Sequence, residues 1–419
     1  MLWLLIGYMF LYIYRPFEVW PILGDIRIEL IYMIGAGIYW LVVPQKRLAL
    51  NSLTLAIALM TLALLTCSFL SPWSEECLNG IDSWLKFLLF FMMLITVVHD
   101  ERSLKVLVVA LLVIMSVYML HSTYEFLCGR YVSRMGISRM VGIEGTNGDP
   151  NAFAMTIVLS LIFVPTCWGC FPNQLPRAFL TGYLLLGTFC ISMTGSRAAF
   201  VALVIFVLYA VWKSAWRGRL AALLVPTAPL LFVALPAELQ NRFETIVNPD
   251  VGPKNAQVSA EGRIDGFLIG MRLWQENPLF GVGPAAWMKA TGRKINAHNL
   301  YGQVAGETGT LGVFALGFLM CAYIVNVRRI RQQCPRDLDE AKADFLREMA
   351  SSITLGVAFL LFFGIFGHNL LRSQWVLYAA LLVIVRQCVE QRAQDILAGV
   401  ENADPELDAA VVPQVYGAV

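Results

Sequence analysis

The chain of 419 residues is 58% hydrophobic and 14% charged, with a mean hydropathy of +0.66. Soluble domains carry roughly 25% charged residues, so the composition excludes an ordinary soluble enzyme and indicates a polytopic membrane protein. Its 31 Lys and Arg against 29 Asp and Glu leave a formal charge of +2, which gives no ground for a nucleic-acid partner.

A helix crosses the ~30 Å hydrocarbon core with about 20 residues, fewer where the bilayer thins. About 12 apolar segments suit that role. In chain order they fall near residues 2–14, 27–43, 50–70, 84–98, 104–120, 152–170, 178–193, 198–213, 219–236, 308–325, 350–366 and 370–385. The opening Met1-Leu2-Trp3-Leu4-Leu5-Ile6 has no basic n-region or small-residue cleavage site and reads as a retained first span. The expected architecture is therefore all-α. Residues 1–236 carry transmembrane helices 1–9, residues 237–307 form a partly helical loop between spans 9 and 10, residues 308–385 carry helices 10–12, and residues 386–419 form a tail.

Loop charge sets the orientation. Lys46 and Arg47, Arg102 and Lys105, Arg177, Lys213, Arg217 and Arg219, and the basic run from Arg328 to Arg347 share one side, which is the cytoplasmic one. Both termini fall there. Residues 71–83, with Glu75, Glu76 and Asp82 and no basic residue, face outward, as do residues 121–151 and 237–307. Four polar sites then share the outer surface: Asn147-Gly148-Asp149-Pro150-Asn151, Thr194-Gly195-Ser196-Arg197, the stretch from Arg263 to His298, and Gly367-His368-Asn369.

The nine cysteines follow no metal-ligand spacing; Cys167-x-x-Cys170, flanked by Trp168 and Gly169, reads as packing within a span. Cys77 and Cys128 both fall in outer loops, so a disulfide between them is an expectation for an oxidising compartment.

Within the long loop, Ile264, Phe267, Leu268, Met271 and Trp274 recur at helical spacing, predicting an amphipathic helix over 263–275 that Asn277-Pro278 stops. Gly281-Val282-Gly283-Pro284 reads as a tight, backbone-exposed turn, a weak phosphate-cradle signal by itself. A second helix is expected from Asn296, placing His298 in its first turn, where the dipole disfavours the imidazolium. A neutral imidazole is what a general base needs near pH 7; a structural or interfacial histidine is the alternative. Arg197 lies between two apolar runs at headgroup depth, where a charge is costly unless it snorkels or meets an anion. Arg263 on the flank of its helix is either a solvated charge or an anion ligand.

Taken in order, Gly148-Asp149-Pro150-Asn151, Thr194-Gly195-Ser196-Arg197-Ala198-Ala199, Arg263 followed by Trp274-x-x-Asn277-Pro278-Leu279-Phe280-Gly281-Val282-Gly283-Pro284, and Ala297-His298-Asn299-Leu300-Tyr301 resemble the O-antigen ligase/polymerase superfamily of bacterial envelope glycosyltransferases. The shared motifs cover about residues 140–325, and no main motif is missing. The resemblance implies a GT-C-like membrane glycosyltransferase of the bacterial inner membrane with its active site facing the periplasm. It implies an undecaprenyl-diphosphate-linked glycan as donor, with lipid A–core as acceptor and membrane lipids around it. No metal or other cofactor is expected. The family's outer-face arginines and long-loop histidine fall on Arg197, Arg263 and His298. Asn147, Asp149, Asn151, Ser196, Gly281, Gly283, Asn299, Tyr301 and His368 become candidates for substrate binding. Ligases, repeat-unit polymerases and protein O-oligosaccharyltransferases share these motifs. A transporter of lipid-linked sugar is the reading from a different class, since about 12 spans suits one; the nearly charge-free spans and the single one-sided loop weigh against it.

Overall fold

The computed structural model describes residues 1–44, 46–47, 50–134, 137–143, 148–171, 173–246, 248, 255–334 and 340–401. In chain order the helices are α1 (Leu2–Tyr14), α2 (Pro16–Val19), α3 (Pro21–Asp25), α4 (Ile28–Val42), α5 (Ser52–Leu70), α6 (Ser74–Val97) and α7 (Glu101–Leu127). A two-stranded hairpin follows, β1 (Val132–Arg134) and β2 (Ile137–Arg139), antiparallel with Val132 opposite Arg139. Next come α8 (Pro150–Leu161), α9 (Val164–Cys170), α10 (Gln174–Thr194), α11 (Arg197–Lys213), α12 (Arg217–Val233), α13 (Ala237–Glu244), α14 (Asn255–Glu276), α15 (Trp287–Thr291), α16 (Leu300–Gln333), α17 (Glu340–Gly364) and α18 (Ser373–Glu401).

Each of the 12 expected apolar segments is helical, but among the described residues seven helices are, by length and composition, long and apolar enough to cross a membrane. One of those seven is Pro150–Cys170, in which the helix is interrupted between α8 and α9, ahead of Pro165. Pro has no N–H to continue the ladder and clashes with the preceding turn. Helix starts carry the caps their sequences promise. Asn51 makes a reciprocal capping box with Thr54, and Asp100 and Asp149 accept from the amides of Ser103 and Ala152. A continuous apolar core runs through the helices, with Tyr118, Phe153, Trp375 and Tyr378 among its fully buried side chains.

Two packing devices place the long loop on this bundle. The first is a pair of glycine steps, Gly266-x-x-x-Gly270 on α14 and Gly302-x-x-x-Gly306 on α16. A Cβ on Gly266 would stand 1.7 Å from the Ala297 carbonyl oxygen, and one on Gly270 2.1 Å from that of Gly302. Small residues at this spacing let helix backbones approach closely, so α14 lies directly on the start of α16.

The second device is a break in α16 at Gly309, which has φ 60°. The carbonyls of Gly306 and Glu307 accept from the amides of Val282 (2.9 Å) and Gly283 (2.8 Å), while the amides of Thr310 and Leu311 donate to the carbonyls of Pro278 (2.8 Å) and Leu279 (3.1 Å). Backbone groups without water must be paired inside the protein, and the 278–283 turn pairs those that the break releases.

Four expectations need correction. The amphipathic helix is Asn255–Glu276, longer than 263–275. The second loop helix does not begin at Asn296: Asn299 is the N-cap of α16, its side chain accepting from the Gly302 amide, so His298 lies outside the helix with φ 47°. The Gly281–Pro284 turn is packed rather than exposed, with Val282 and Gly283 buried. The expected boundary between the last span and the tail at 385/386 is absent, because α18 runs through it from Ser373 to Glu401. Asn147 lies outside the described residues. Cys77 is buried against Gly283 and Cys128 is exposed at the end of α7; both are free thiols.

Candidate functional site

The C-terminus of α10 turns through Gly195 in the left-handed region, φ 59°, directly into α11. Ser196 is the buried N-cap and Arg197 the first helical residue, half-buried. Helix α13 latches this corner: Arg242 Nε donates to the Gly195 carbonyl (2.5 Å), and Arg197 Nη1 donates to Thr245 Oγ1 (3.1 Å).

Arg263, half-buried on α14, holds its guanidinium 4.9 Å from the centre of the Phe366 ring. Burial lowers its pKa, and the charge of Arg197 lowers it further. The two guanidinium groups are thus near enough to repel each other, yet both remain charged. Two like charges around one space are stabilised by an anion between them.

The Gly-His-Asn turn after α17 joins this surface. The rings of His298 and His368 lie 5.5 Å apart, edge to face at 68°. Asn296 Nδ2 donates to His368 Nε2 at 3.3 Å. The His368 pKa is pushed down to about 4, first by burial, then by His298 and Arg372, with Asp149 acting in the opposite direction. The ring is therefore neutral at pH 7. Asp149 caps α8 and is exposed. The structure thus brings Arg197, Arg263, His298, His368 and Asp149 to one side of the helical bundle.

Other expected site residues have local partners. Asn151 accepts from Arg139 Nη2 (3.0 Å) and donates to Asp149 Oδ1 (3.3 Å). Asn299 caps α16, and the Tyr301 hydroxyl donates to the Leu361 carbonyl (3.1 Å). The Gly281 and Gly283 amides donate to the carbonyls of Asn277 and Glu307, so the donors a phosphate cradle would offer are engaged within the fold. Among the described residues no three His, Cys, Asp or Glu side chains gather as metal ligands would.

Three polar residues that sequence reasoning passed over sit beside these. Arg139, buried, ties the hairpin to Thr194 and Asn151 through its guanidinium; its sequence context carries no sign of this. Glu307, 1% exposed, accepts from Gln303 Nε2 (3.0 Å). Arg372 immediately precedes α18. The last two are lone charges in apolar runs, a pattern that marks function by default. Both line a cavity of about 470 Å³ between α1, α6, α7, α8, α16 and α18, whose wall also includes His368, Asn296 and Gln303.

Residues 182–317 match the family model described as O-Antigen ligase. The match runs from within α10 through Arg197, Arg263 and His298 to the middle of α16, so the resemblance to the O-antigen ligase/polymerase superfamily holds where the two arginines and the histidine lie. Enzymes of this family are membrane glycosyltransferase-like and act on lipid-linked glycans. Together with the seven span-length apolar helices among the described residues, the match supports a multi-pass membrane protein. No curated protein matches the chain.

Proposed function

We propose that this protein transfers undecaprenyl-diphosphate-linked O-antigen polysaccharide to lipid A–core at the periplasmic face of the bacterial inner membrane, by a metal-independent, inverting reaction on a GT-C-like scaffold of about 12 spans. The observation that carries this reading is that the half-buried Arg263 packs on Phe366 and His298 on His368, two residues of one turn, so a fixed cation and an imidazole meet at one surface, to which Arg197 adds its charge.

The chemistry follows from charge. When the glycan leaves its carrier, the bond between the anomeric carbon and the diphosphate oxygen breaks and that oxygen takes the electron pair. Guanidinium groups grip phosphate oxygens in pairs and stay protonated, so they stabilise the departing anion throughout. An acceptor hydroxyl forms the new bond to the anomeric carbon from the opposite side, and His298 takes its proton. Direct displacement inverts the anomeric configuration and leaves no covalent enzyme intermediate. Gly281 and Gly283 support the site by holding the turn against α16, while Asp149, Asn151, Ser196, Asn299 and Tyr301 fix the entries of α8, α11 and α16 around it.

A repeat-unit polymerase would use the same residues on a growing lipid-linked glycan as acceptor. Glycolipid gels of a deletion strain separate the two. Loss of capped lipopolysaccharide with accumulating lipid-linked polymer supports ligation. Capped molecules bearing a single repeat unit would replace it with polymerisation, and an unchanged profile would reject both.

A further inference from the structure

Helices α7 and α10, both long and apolar enough to span, touch towards their C-terminal ends. There Thr123 Oγ1 lies 3.5 Å from Cys190 Sγ, and a Cβ on Gly187 would stand 3.8 Å from Met119 Sδ. Nearer the starts of the two helices the space between them is a groove of about 490 Å³. Val109 and Val113 of α7 form one wall, Leu175 and Phe179 of α10 the other, and the buried Leu112 and Leu180 the floor. Every lining residue is apolar, and Val113, Leu175 and Phe179 are exposed, so the groove opens towards lipid.

One cation is fixed at the end where α10 begins. Arg177 Nε donates to the carbonyl of Phe171 (2.8 Å), itself a lining residue, and the guanidinium centre lies 5.9 Å from the middle of the Trp168 ring. Trp168 is exposed, as an aromatic side chain at headgroup level is. Among the described residues the Arg177 Nη groups have no protein partner, and no carboxylate pairs with this side chain. Glu101 and Lys105 both act electrostatically on Cys170, the neighbour of Phe171, but Lys105 Nζ holds Glu101 Oε1 at 2.6 Å. The carboxylate at this end is therefore spent on the lysine, and Arg177 leaves the mouth of the groove positive.

We propose that the groove between α7 and α10 binds the headgroup-proximal part of one acyl chain of an anionic phospholipid, with Arg177 receiving the phosphate. An apolar trough offers water no partner and loses dispersion contacts if left empty, so a hydrocarbon chain is its natural filling. From Leu175 to Leu180 the groove follows about 7–8 Å of helix, at 1.5 Å per residue, which accommodates the upper part of a chain. Charge selects the headgroup. A guanidinium already held by a carbonyl and a ring presents its remaining N–H groups to phosphate oxygens at little entropic cost, whereas the ammonium of a zwitterionic lipid meets no free carboxylate there. The site lies at the opposite end of α10 from Gly195 and Arg197 and does not depend on the transfer reading.

The test is lipid retention. Purified, delipidated full-length protein in non-ionic detergent is titrated with phosphatidylglycerol or phosphatidylethanolamine of identical chains, and bound lipid is counted by native mass spectrometry. Phosphatidylglycerol is expected to bind the more tightly. R177Q should weaken it by about 5- to 10-fold, the effect of one cation at a membrane surface with its hydrogen bonds, and R177K by less. A178W places an indole in the groove and keeps the cation, so it should reduce retention of both lipids. L185W, an exposed position on the same helix outside the groove, should change neither. Unchanged phosphatidylglycerol affinity in R177Q, equal affinity for the two lipids, or equal retention by A178W and L185W overturns the site. Displacement of phosphatidylglycerol by an equal concentration of undecaprenyl phosphate, abolished in A178W, would give the groove to a polyprenyl carrier and likewise overturn it. Should R177Q not fold, A178W against L185W decides, because the proposal requires only A178W to lose the lipid.

Discussion

Gly266 on α14 lies so close to Ala297 that a Cβ built on it would stand 1.7 Å from the Ala297 carbonyl oxygen. Ala297 is the neighbour of His298, and Arg263 is one helical turn before Gly266. The separation between the candidate base and a candidate diphosphate ligand is therefore set by the absence of one methyl group.

Gly266→Ala should consequently lower transfer sharply, because the atom it meets is backbone and one of the two segments must move. Overpacking of this kind costs about 1–3 kcal/mol of stability, which leaves protein to assay. Gly262→Ala on the same helix meets nothing within 4 Å and should be neutral or slightly stabilising, by about 0.5–1 kcal/mol from helix propensity. Activity and thermal melting of the two variants are compared in parallel. Equal activity of both would show that the close approach has no bearing on the site.

The elements were largely legible in the sequence because a membrane makes hydropathy and helix nearly the same signal: every apolar run from 2–14 to 370–385 became helix. Arg197, Arg263 and His298 could be named because each sits in a recognisable local motif. Relationships across the chain were not legible. Nothing in Gly281-Val282-Gly283 says that its amides answer carbonyls at Gly306 and Glu307, since that pairing depends on a helix break at Gly309. The two Gly-x-x-x-Gly steps are visible as a pattern and could have been paired. Arg372 was hidden by its place at the head of an apolar run, and only the fold reveals the cavity before it.

Topology gives the second prediction. Lys289 Nζ lies 3.1 Å from Glu76 Oε1, which ties the long loop to the acidic 71–83 segment, so both belong to one side. Cysteines at Ser74 and Lys289 should label with an impermeant reagent in intact cells, and a cysteine at Gln332, within the basic run, should label only after permeabilisation. Outside labelling at Gln332 would invert the orientation and with it the periplasmic assignment of the site.

A third prediction concerns acid. His368 has its pKa pushed down to about 4, from an ordinary 6.5. With the folded value depressed, the unfolded chain takes up the proton first. The contribution of this residue to stability is complete above pH 6.5 or so and is lost as pH falls from there towards about 4. Solvent still reaches the ring, which moderates the effect. His368→Gln should flatten the decline in melting temperature between pH 7 and pH 5 relative to the unaltered protein. Parallel declines would show that His368 is not the titrating group.

The division of labour between Arg197, Arg263 and His298 is the most exposed prediction. Arg197→Lys keeps a positive charge beside Thr245 but loses the planar fork that grips two phosphate oxygens, so it should impair transfer more than a point-charge account allows. Arg263→Lys should do the same while also losing the stacking contact with Phe366. His298→Ala should reduce turnover by about 10²- to 10⁴-fold, the usual range for a general base, with donor affinity largely kept, because the phosphate ligands are untouched. The measurement is single-turnover transfer by purified protein in excess chelator, with donor affinity determined separately. Full turnover of His298→Ala would remove it as the base, after which His368, 5.5 Å away and neutral, is the nearest candidate to test. A strict requirement for a divalent cation would instead overturn the arginines as sufficient stabilisers of the leaving diphosphate.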